Sequence, residues 1–452
     1  MAAAAAATMF VIGPAYAGQQ KAGAIIGDLV QAQPSSIPHF GCESRPFDLS
    51  LGLYCYDPQT IRAAYGVQSL INNGANGAGQ TIVILDAFGS PTITSDLQDF
   101  DALFGIPAPP SFAIVTMPGT PPFDPTNANI VGWTAEIALD VQWSHAMAPG
   151  ASIVLVAAKS NSDTDLIAAL NYAIDNRLGN VISMSFGESE IGLANPDGLD
   201  TIAAWTTALQ RARQHHITVF ASSGDQGVDT QSFGTPSVSF PASSPLVTSV
   251  GGTNLRFGTA TNASFTGSYQ FERVWDDPFD NNNIAADTFG AGGGGMSFLI
   301  TEPRFQQNNV PDAVNQTLHG NRGVPDVAYN AGVAGGVLAH WGVGAPGATS
   351  FFLFGGTSAG SPQWAGIVAD INSALQRPVG FINPWLYRLG GQGKLNGLTH
   401  DVTIGDNGFD SVPGYPASAG YDLSTGWGTP NFGNLVFMLS NPPSDSDQGS
   451  DP

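Results

Sequence analysis

The feature that most constrains the fold of this chain is an alternation of strand-like and helix-like runs that starts near residue 60. Short apolar, β-branched runs such as "QTIVILDAFG" (80–89) and "ASIVLVAA" (151–158) predict buried strands. The helical pattern "TIAAWTTALQRARQHH" (201–216) separates two further strands, "NVISMSFG" (180–187) and "ITVFASSG" (217–224). Strands joined by helices of this length form βαβ units. The sequence therefore predicts an α/β fold, doubly wound, with a mostly parallel central sheet and helices on both faces.

The stretch 251–356 departs from this alternation. It is rich in Gly, Asn and short β-like runs, and includes "GAGGGG" at 290–295. We interpret it as long surface connections rather than as a new domain.

Charge excludes two classes of partner. The chain carries 36 acidic and 14 basic residues, giving a formal charge of −22. Such a surface repels nucleic acid and anionic membranes, so we expect neither as a partner. Few bases also limit positive self-repulsion in an acidic medium, although many ordinary secreted or salt-adapted proteins are equally acidic.

The N-terminal sequence favours export. Residues 1–17 are apolar and end in the small-x-small pattern Ala15-Tyr16-Ala17, which is typical of a signal cleavage site. Cys42 and Cys55 are the two cysteines of the chain, and their local spacing predicts a disulfide formed in an oxidising compartment. Two free buried thiols are the alternative. We expect a secreted, extracellular protein.

Ser358 lies in "FGGTSAGSPQW" (354–364), before a run of helical pattern. A serine at this position usually caps the helix. However, Gly355 and Gly356 remove side chains from its approach, and a hydroxyl at the positive end of a buried helix is suited to attack a carbonyl. Ser358 is therefore a candidate nucleophile that needs a base.

The candidate base is a pair of carboxylates in "VGWTAEIALDVQWSHAMAPG" (131–150). Glu136 and Asp140 are four residues apart, so in a helix they point about 40° from each other. Two close carboxylates tend to share a proton, and such a dyad accepts a proton at acidic pH, where histidine is already protonated. A like-charged pair on a solvated helix face is the alternative, but the neighbouring residues are apolar.

His145 competes as a base that works at neutral pH. It lies nine residues past Glu136, about 180° around the same helix, so one helix cannot aim both side chains at Ser358. We interpret His145 as structural.

Asp225 follows a predicted buried strand in "FASSGDQG" (220–227). Loops at the carboxyl ends of parallel strands often carry the chemistry of α/β proteins. Asp225 is either a simple turn former or, when protonated, a donor to a developing oxyanion.

Together these motifs resemble the sedolisin (serine-carboxyl peptidase) family, and within it the kumamolisin-like enzymes of the subtilase superfamily. The segment "GGTSAGSP" resembles the subtilase nucleophile motif, and "IRAAYGV", "MAPGASIVLV", "RGVPDVAYNA" and "GYDLSTGWGTPN" follow in the family's order. The resemblance implies a subtilisin-like fold. It also implies Ser358 as nucleophile, Glu136 as general base, Asp140 as its partner and Asp225 as oxyanion donor.

The resemblance implies two further sites. A structural Ca²⁺ ion would be bound by Asp401, Val402, Ser418, Gly420 and Asp422, a set of hard oxygen ligands, with Asp406 and Asp410 as further candidates. Ser185, Phe186 and Gly187 would pair with the backbone of an extended substrate.

These expectations divide the chain into a signal-like segment (1–17), an N-terminal extension or prosegment remnant with the disulfide (18–55), a sedolisin-type peptidase domain (56–440) and a disordered tail (441–452). The predicted function is a secreted, monomeric, acid-active endopeptidase that cleaves protein or peptide substrates through an acyl-enzyme. Three alternatives stay open: a tripeptidyl-peptidase, a neutral subtilisin-like protease that uses Asp86 and His145, and a non-catalytic peptide-binding protein.

Overall fold

The chain is described from a computed structural model that covers residues 21–22, 25–30, 40–44, 54–228, 233–257, 269–277, 290–345 and 350–432. The signal-like segment 1–17, most of the extension 18–55 and the tail 441–452 lie outside these described residues.

The strands of the described residues, in chain order, are β1 (Lys21–Ala22), β2 (Ile25–Val30), β3 (Cys55–Tyr56), β4 (Thr81–Ala87), β5 (Phe112–Thr116), β6 (Ser152–Ala158), β7 (Val181–Met184), β8 (Phe186–Ser189), β9 (Thr218–Ser222), β10 (Ser239–Phe240), β11 (Thr248–Phe257), β12 (Tyr269–Val274), β13 (Gly295–Thr301), β14 (Asn321–Val324), β15 (Val327–Asn330), β16 (Gly336–His340), β17 (Phe351–Gly355), β18 (Thr399–His400) and β19 (Thr429–Pro430).

The helices of the same residues are α1 (Pro58–Ala64), α2 (Val67–Asn72), α3 (Ile93–Phe104), α4 (Ala128–Met147), α5 (Asp163–Asp175), α6 (Glu190–Leu193), α7 (Pro196–Gln214), α8 (Arg304–Gln307), α9 (Asp312–Leu318), α10 (Gly360–Leu375) and α11 (Asn383–Gly391).

The central sheet has the strand order β12-β11-β9-β7-β4-β6-β5, and β15 also pairs with β11. The pairs from β11 to β5 are parallel, as is β11 with β15, whereas the edge strand β12 is antiparallel to β11. This confirms the predicted mostly parallel sheet.

Strand β4 shows why an uninterrupted apolar run forms the centre of such a sheet. Ile82 and Ile84 belong to one buried cluster, while Val83 and Leu85 belong to another. Successive side chains of a strand point to opposite faces, so both faces of β4 are covered and both must be apolar.

The run 180–187, predicted as one strand, is divided at Ser185. Strand β7 ends at Met184 inside the central sheet, and β8 begins at Phe186 in a second, three-stranded sheet of order β1-β8-β10. The chain therefore changes sheets at Ser185, which leaves that residue at the carboxyl edge of the parallel sheet.

The interpretation of 251–356 as surface connections is wrong for its described part. This region contributes β11 to β17, and the glycine run 290–295 is buried. A Cβ atom on Gly293 would lie 2.2 Å from the carbonyl oxygen of Ser223. The glycines allow two backbones to pack closely, so here a glycine-rich composition indicates tight packing rather than a solvent-exposed loop.

Cys42 and Cys55 form a disulfide, as the spacing predicts. It joins the short helical turn Gly41–Ser44 to β3. None of the helices described is both long enough and apolar enough to cross a membrane.

Candidate active site

Ser358 lies in a turn between a strand and a helix. Strand β17 ends at Gly355, and Gly356 has a φ angle of 97°, which favours glycine because a Cβ atom is strained there. A short 3₁₀ turn, Thr357–Ala359, then leads into α10.

The Ser358 side chain does not cap this helix. Helix α10 has no side-chain cap hydrogen bond, and the buried Ser358 Oγ instead donates to the carbonyl oxygen of Ser185, 3.4 Å away. The hydroxyl is thus held at the carboxyl edge of the sheet.

Glu136 and Asp140 are carried by α4, which packs against α10 and against the Thr357–Ala359 turn. Both carboxyls are 0% exposed. The pKa of Asp140 is raised well above its usual range, first by burial and then by the negative charges of Asp86 and Glu136, while the Ser185 hydroxyl opposes the rise. The helix therefore buries two neighbouring carboxyls that do not both ionise easily.

Asp86 adds a third carboxyl to this cluster. It lies near the carboxyl end of β4, is fully buried, and burial raises its pKa to about 8. From the sequence, we considered Asp86 only as the acid of a catalytic triad that works at neutral pH with His145.

His145 is directed toward a different part of the molecule. Its Nε2 lies 3.3 Å from Asp101 Oδ1, and 2.9 Å from the carbonyl oxygen of Pro107. Asp101 belongs to α3, so His145 contributes to the α3–α4 interface.

Asp225 reaches the site from the loop after β9. Its Oδ1 accepts hydrogen bonds from the Thr357 N–H at 2.7 Å and the Thr357 hydroxyl at 2.8 Å. Its Oδ2 is buried and has no hydrogen-bond partner among the described residues. Burial raises the pKa of Asp225 to about 7, although the two bonds from Thr357 lower it.

Of the predicted substrate-binding residues, Ser185 contacts Ser358, and Phe186 and Gly187 follow it in β8. Ser185 Oγ donates to the carbonyl oxygen of Ser358 at 3.4 Å. A Cβ atom on Gly187 would lie 2.1 Å from Ser239 Oγ of β10, so a larger residue would displace that serine hydroxyl. On the side opposite β10, β8 pairs antiparallel with β1, with Lys21 facing Gly187 and Ala22 facing Phe186.

Comparison with known proteins agrees with this geometry. A model described as "Subtilase family" matches residues 128–384, more than half of the chain. Kumamolisin from Bacillus sp. (strain MN-32) is 33% identical over 434 residues, which cover 92% of this chain and 71% of kumamolisin. The chain belongs to the sedolisin family of serine-carboxyl peptidases.

Further relatives agree with this assignment. Sedolisin from Pseudomonas sp. (strain 101) is 30% identical, over 82% of this chain and 60% of sedolisin. The structure of Pseudomonas sedolisin, a serine-carboxyl proteinase complexed with two molecules of pseudo-iodotyrostatin, matches 86% of this chain and 99% of that chain, with a TM-score of 0.70 at 27% identity. Human tripeptidyl-peptidase 1 is 30% identical over 59% of this chain and 44% of its own length. The predicted family and its subtilisin-like fold are confirmed.

The matched segment 128–384 contains Glu136, Asp140, Asp225 and Ser358, whereas the predicted calcium ligands lie C-terminal to it. The described residues contain no group of three or more His, Cys, Asp or Glu side chains that could hold a metal ion.

The predicted calcium ligands nevertheless converge on one loop. Asp401 Oδ2 accepts from the Gly420 N–H at 3.0 Å, and Asp422 Oδ2 accepts from the Ser418 N–H at 2.9 Å. Carboxylate oxygens are the hard donors that Ca²⁺ prefers, so the side-chain chemistry of these two residues fits the ion. Asp406 instead accepts from the N–H of Gly408 within its own turn.

Sequence reasoning missed the hydrogen bond between Thr357 and Asp225 and the effect of Asp86 on Asp140. Thr357 adjoins the nucleophile in the motif, but its contact with Asp225 spans 132 residues of sequence. The position of Asp86 near the end of a buried strand was the signal that could have placed it beside the dyad.

Proposed function

We propose that the chain is a secreted, acid-active serine-carboxyl endopeptidase. The observation that carries the proposal is the buried Asp225 carboxyl, whose Oδ1 is bound to the residue next to Ser358 while its Oδ2 has no hydrogen-bond partner among the described residues. A neutral carboxyl there can donate to an oxyanion, whereas a carboxylate would repel it.

Catalysis begins when Ser358 Oγ attacks the carbonyl carbon of the scissile bond. The hydroxyl proton passes to the Glu136 carboxylate, and the neighbouring Asp140 shares this proton. The bond from Oγ to carbon forms as the carbonyl π bond breaks, and the oxygen that becomes negative receives the Asp225 proton as a hydrogen bond.

Collapse of this intermediate breaks the peptide bond. The leaving nitrogen takes the proton from Glu136, and an acyl-enzyme on Ser358 remains. Water then attacks the ester carbonyl while Glu136 takes its proton, and the carbon–Oγ bond breaks as that proton returns to Oγ, which releases the carboxylic acid and restores the serine hydroxyl. Ser185, Phe186 and Gly187 would hold the substrate backbone by strand addition to β8.

This mechanism requires an acidic pH. The pKa of Asp225 is about 7, so its donor proton is lost as the pH rises through neutrality. A histidine base has no place in the scheme, because His145 contacts Asp101 and Pro107.

Calcium and export complete the proposal. Asp401 and Asp422, with carbonyls of Val402, Ser418 and Gly420, would hold one structural Ca²⁺ ion that neutralises their charge and fixes the loop. Export is supported by the signal-like residues 1–17 and by the Cys42–Cys55 disulfide, since disulfides persist in oxidising compartments.

The test is digestion of a denatured protein at intervals from pH 2 to pH 8, with mass spectrometry of the products. We expect internal fragments at acidic pH, and none with Ser358→Ala. Sequential release of tripeptides would instead assign exopeptidase action, as in the related tripeptidyl-peptidase. An activity maximum above pH 7 would discard the carboxyl mechanism, and equal activity of the Ser358→Ala variant would discard the nucleophile.

A further inference from the structure

A short chain of hydrogen bonds connects the loop after β9 to the turn that carries the nucleophile. The Gly224 N–H donates to Thr357 Oγ1 at 3.1 Å, and Thr357 Oγ1 donates to Asp225 Oδ1 at 2.8 Å. The Thr357 N–H donates to the same Oδ1 at 2.7 Å. Thr357 is 1% exposed, whereas Gly224 and Asp225 are partly buried.

The direction of the hydrogen bond between Thr357 Oγ1 and Asp225 Oδ1 is fixed by the groups around it. A hydroxyl has one proton and two lone pairs. The N–H of Gly224 occupies a lone pair of Thr357 Oγ1, so the hydroxyl proton is available for Asp225. Oδ1 therefore accepts from two donors of one residue.

This arrangement makes the two oxygens of Asp225 unequal. An oxygen that accepts two hydrogen bonds is an unfavourable position for a proton, because the proton would face both donors. The other oxygen, Oδ2, is buried and has no hydrogen-bond partner among the residues described. The proton of the neutral carboxyl is therefore favoured on Oδ2.

We infer that Thr357 is a positioning residue for the reaction: its hydroxyl and N–H hold Asp225 Oδ1, so that the proton stays on Oδ2 and is directed toward the oxyanion formed by attack of Ser358. This inference rests on the proposed function. Thr357 acts through Asp225 and transfers no proton to the substrate itself.

A purely structural role would predict different behaviour. In that case the hydroxyl would only connect two buried loops, and its loss would lower stability without changing the pH at which activity disappears. The Thr357 hydroxyl lowers the pKa of Asp225, so a positioning role predicts that its removal moves the alkaline limb of activity to higher pH.

The experiment compares Thr357→Val with Thr357→Ser by measuring kcat, KM and their pH dependence on one peptide substrate. Valine keeps the shape and the backbone N–H but lacks the hydroxyl, whereas serine retains it. We expect Thr357→Val to lower kcat about 10- to 100-fold with little change in KM, and to shift the alkaline limb upward. Thr357→Ser should retain the parent values.

Two controls separate the explanations. In an Asp225→Asn background, Thr357→Val should leave the pH dependence unchanged, because no carboxyl remains at that position. If Thr357→Val does not fold, Thr357→Cys replaces it, and its weaker thiol donor should give an intermediate loss of kcat.

A Thr357→Val enzyme with the parent kcat and alkaline limb would overturn the inference. So would a Thr357→Ser enzyme as defective as Thr357→Val. Either result alongside an inactive Ser358→Ala variant would leave the proposed function standing, whereas an active Ser358→Ala variant would overturn both.

Discussion

Asp225 must be protonated to act as an oxyanion donor, whereas an asparagine in its place would donate an N–H at every pH. With its pKa at about 7, Asp225 loses its proton as the pH rises through neutrality. We therefore expect the activity of Asp225→Asn relative to the parent to increase between pH 5 and pH 8. Asp225→Ala should lose about 100-fold in kcat at acidic pH, where the parent carboxyl is protonated, as oxyanion-hole variants do, and less above pH 7.

Measurement of kcat/KM for both variants on one peptide substrate checks this prediction. Asp225→Ala is the matched control for loss of the side chain without a replacement donor. A ratio of Asp225→Asn to parent activity that stays constant with pH would contradict the assigned role.

Local sequence patterns predicted some of the contacts in the candidate site and not others. Helical periodicity was enough to place Glu136 and Asp140 together, because both belong to one helix. The contact between Thr357 and Asp225 joins two distant loops, and no local pattern encodes it. The same holds for the charge of Asp86 on Asp140, which depends on how α4 packs on β4.

At the scale of elements, the packing of α4 on α10 sets the position of Glu136 and Asp140 relative to Ser358. Gly366 of α10 lies at this contact, where a Cβ atom would be 2.6 Å from Met147 Cβ and 2.9 Å from the carbonyl oxygen of Ser144. Gly366→Ala should force the helices apart. We expect it to lower the free energy of unfolding by about 1–3 kcal/mol and to reduce kcat.

Urea unfolding in a Ser358→Ala background, which prevents self-digestion, measures the first effect, and peptide hydrolysis by Gly366→Ala alone measures the second. Gly192→Ala in α6 is the control, because its Cβ atom would meet only Glu188 Oε2, at 3.9 Å. Unchanged stability and kcat in Gly366→Ala would show that the contact tolerates a methyl group.

The sequence predicted the type of the long elements better than their ends. Helix α7, predicted over 201–216, begins earlier, at Pro196, where Asn195 accepts a hydrogen bond from the Gly198 N–H. It ends at Gln214, and His216 has a φ angle of 55°. The cap at Asn195 was visible in the sequence, but the apolar spacing that marked the helix begins only after the first turn.

For the whole molecule, burial of carboxyls predicts a fold that is most stable in acid. Among the described residues, burial is the largest cause of a raised pKa at ten carboxyls: Asp86, Asp101, Asp140, Glu190, Asp225, Glu272, Glu302, Asp370, Asp401 and Asp422. A carboxyl with a raised pKa binds protons more tightly in the folded state. Its stabilising effect is complete below the unfolded pKa near 4, and it is lost as the pH rises through the folded pKa.

We therefore expect the free energy of unfolding to fall by at least about 2 kcal/mol between pH 4 and pH 8. His400 acts in the opposite direction at the acidic end, because burial lowers its pKa to about 4, but it is one group against ten. Urea unfolding of Ser358→Ala at several pH values gives this slope.

Asp225→Asn added to Ser358→Ala should make the slope smaller, because it removes one of these ten carboxyls. A free energy of unfolding that is constant or that rises with pH would contradict the prediction.

Composition alone indicated only that the surface is acidic; which carboxyls are buried depends on the fold.

Strand β1 lies along the side of β8 where strand addition would place a substrate backbone, and it runs antiparallel to β8. A segment covalently joined to its own binding site remains at an effective concentration in about the millimolar range. A free peptide that uses the same side of β8 must compete with this tethered occupant. Short ligands will therefore have a weaker apparent affinity for the intact chain than their contacts with β8 alone provide.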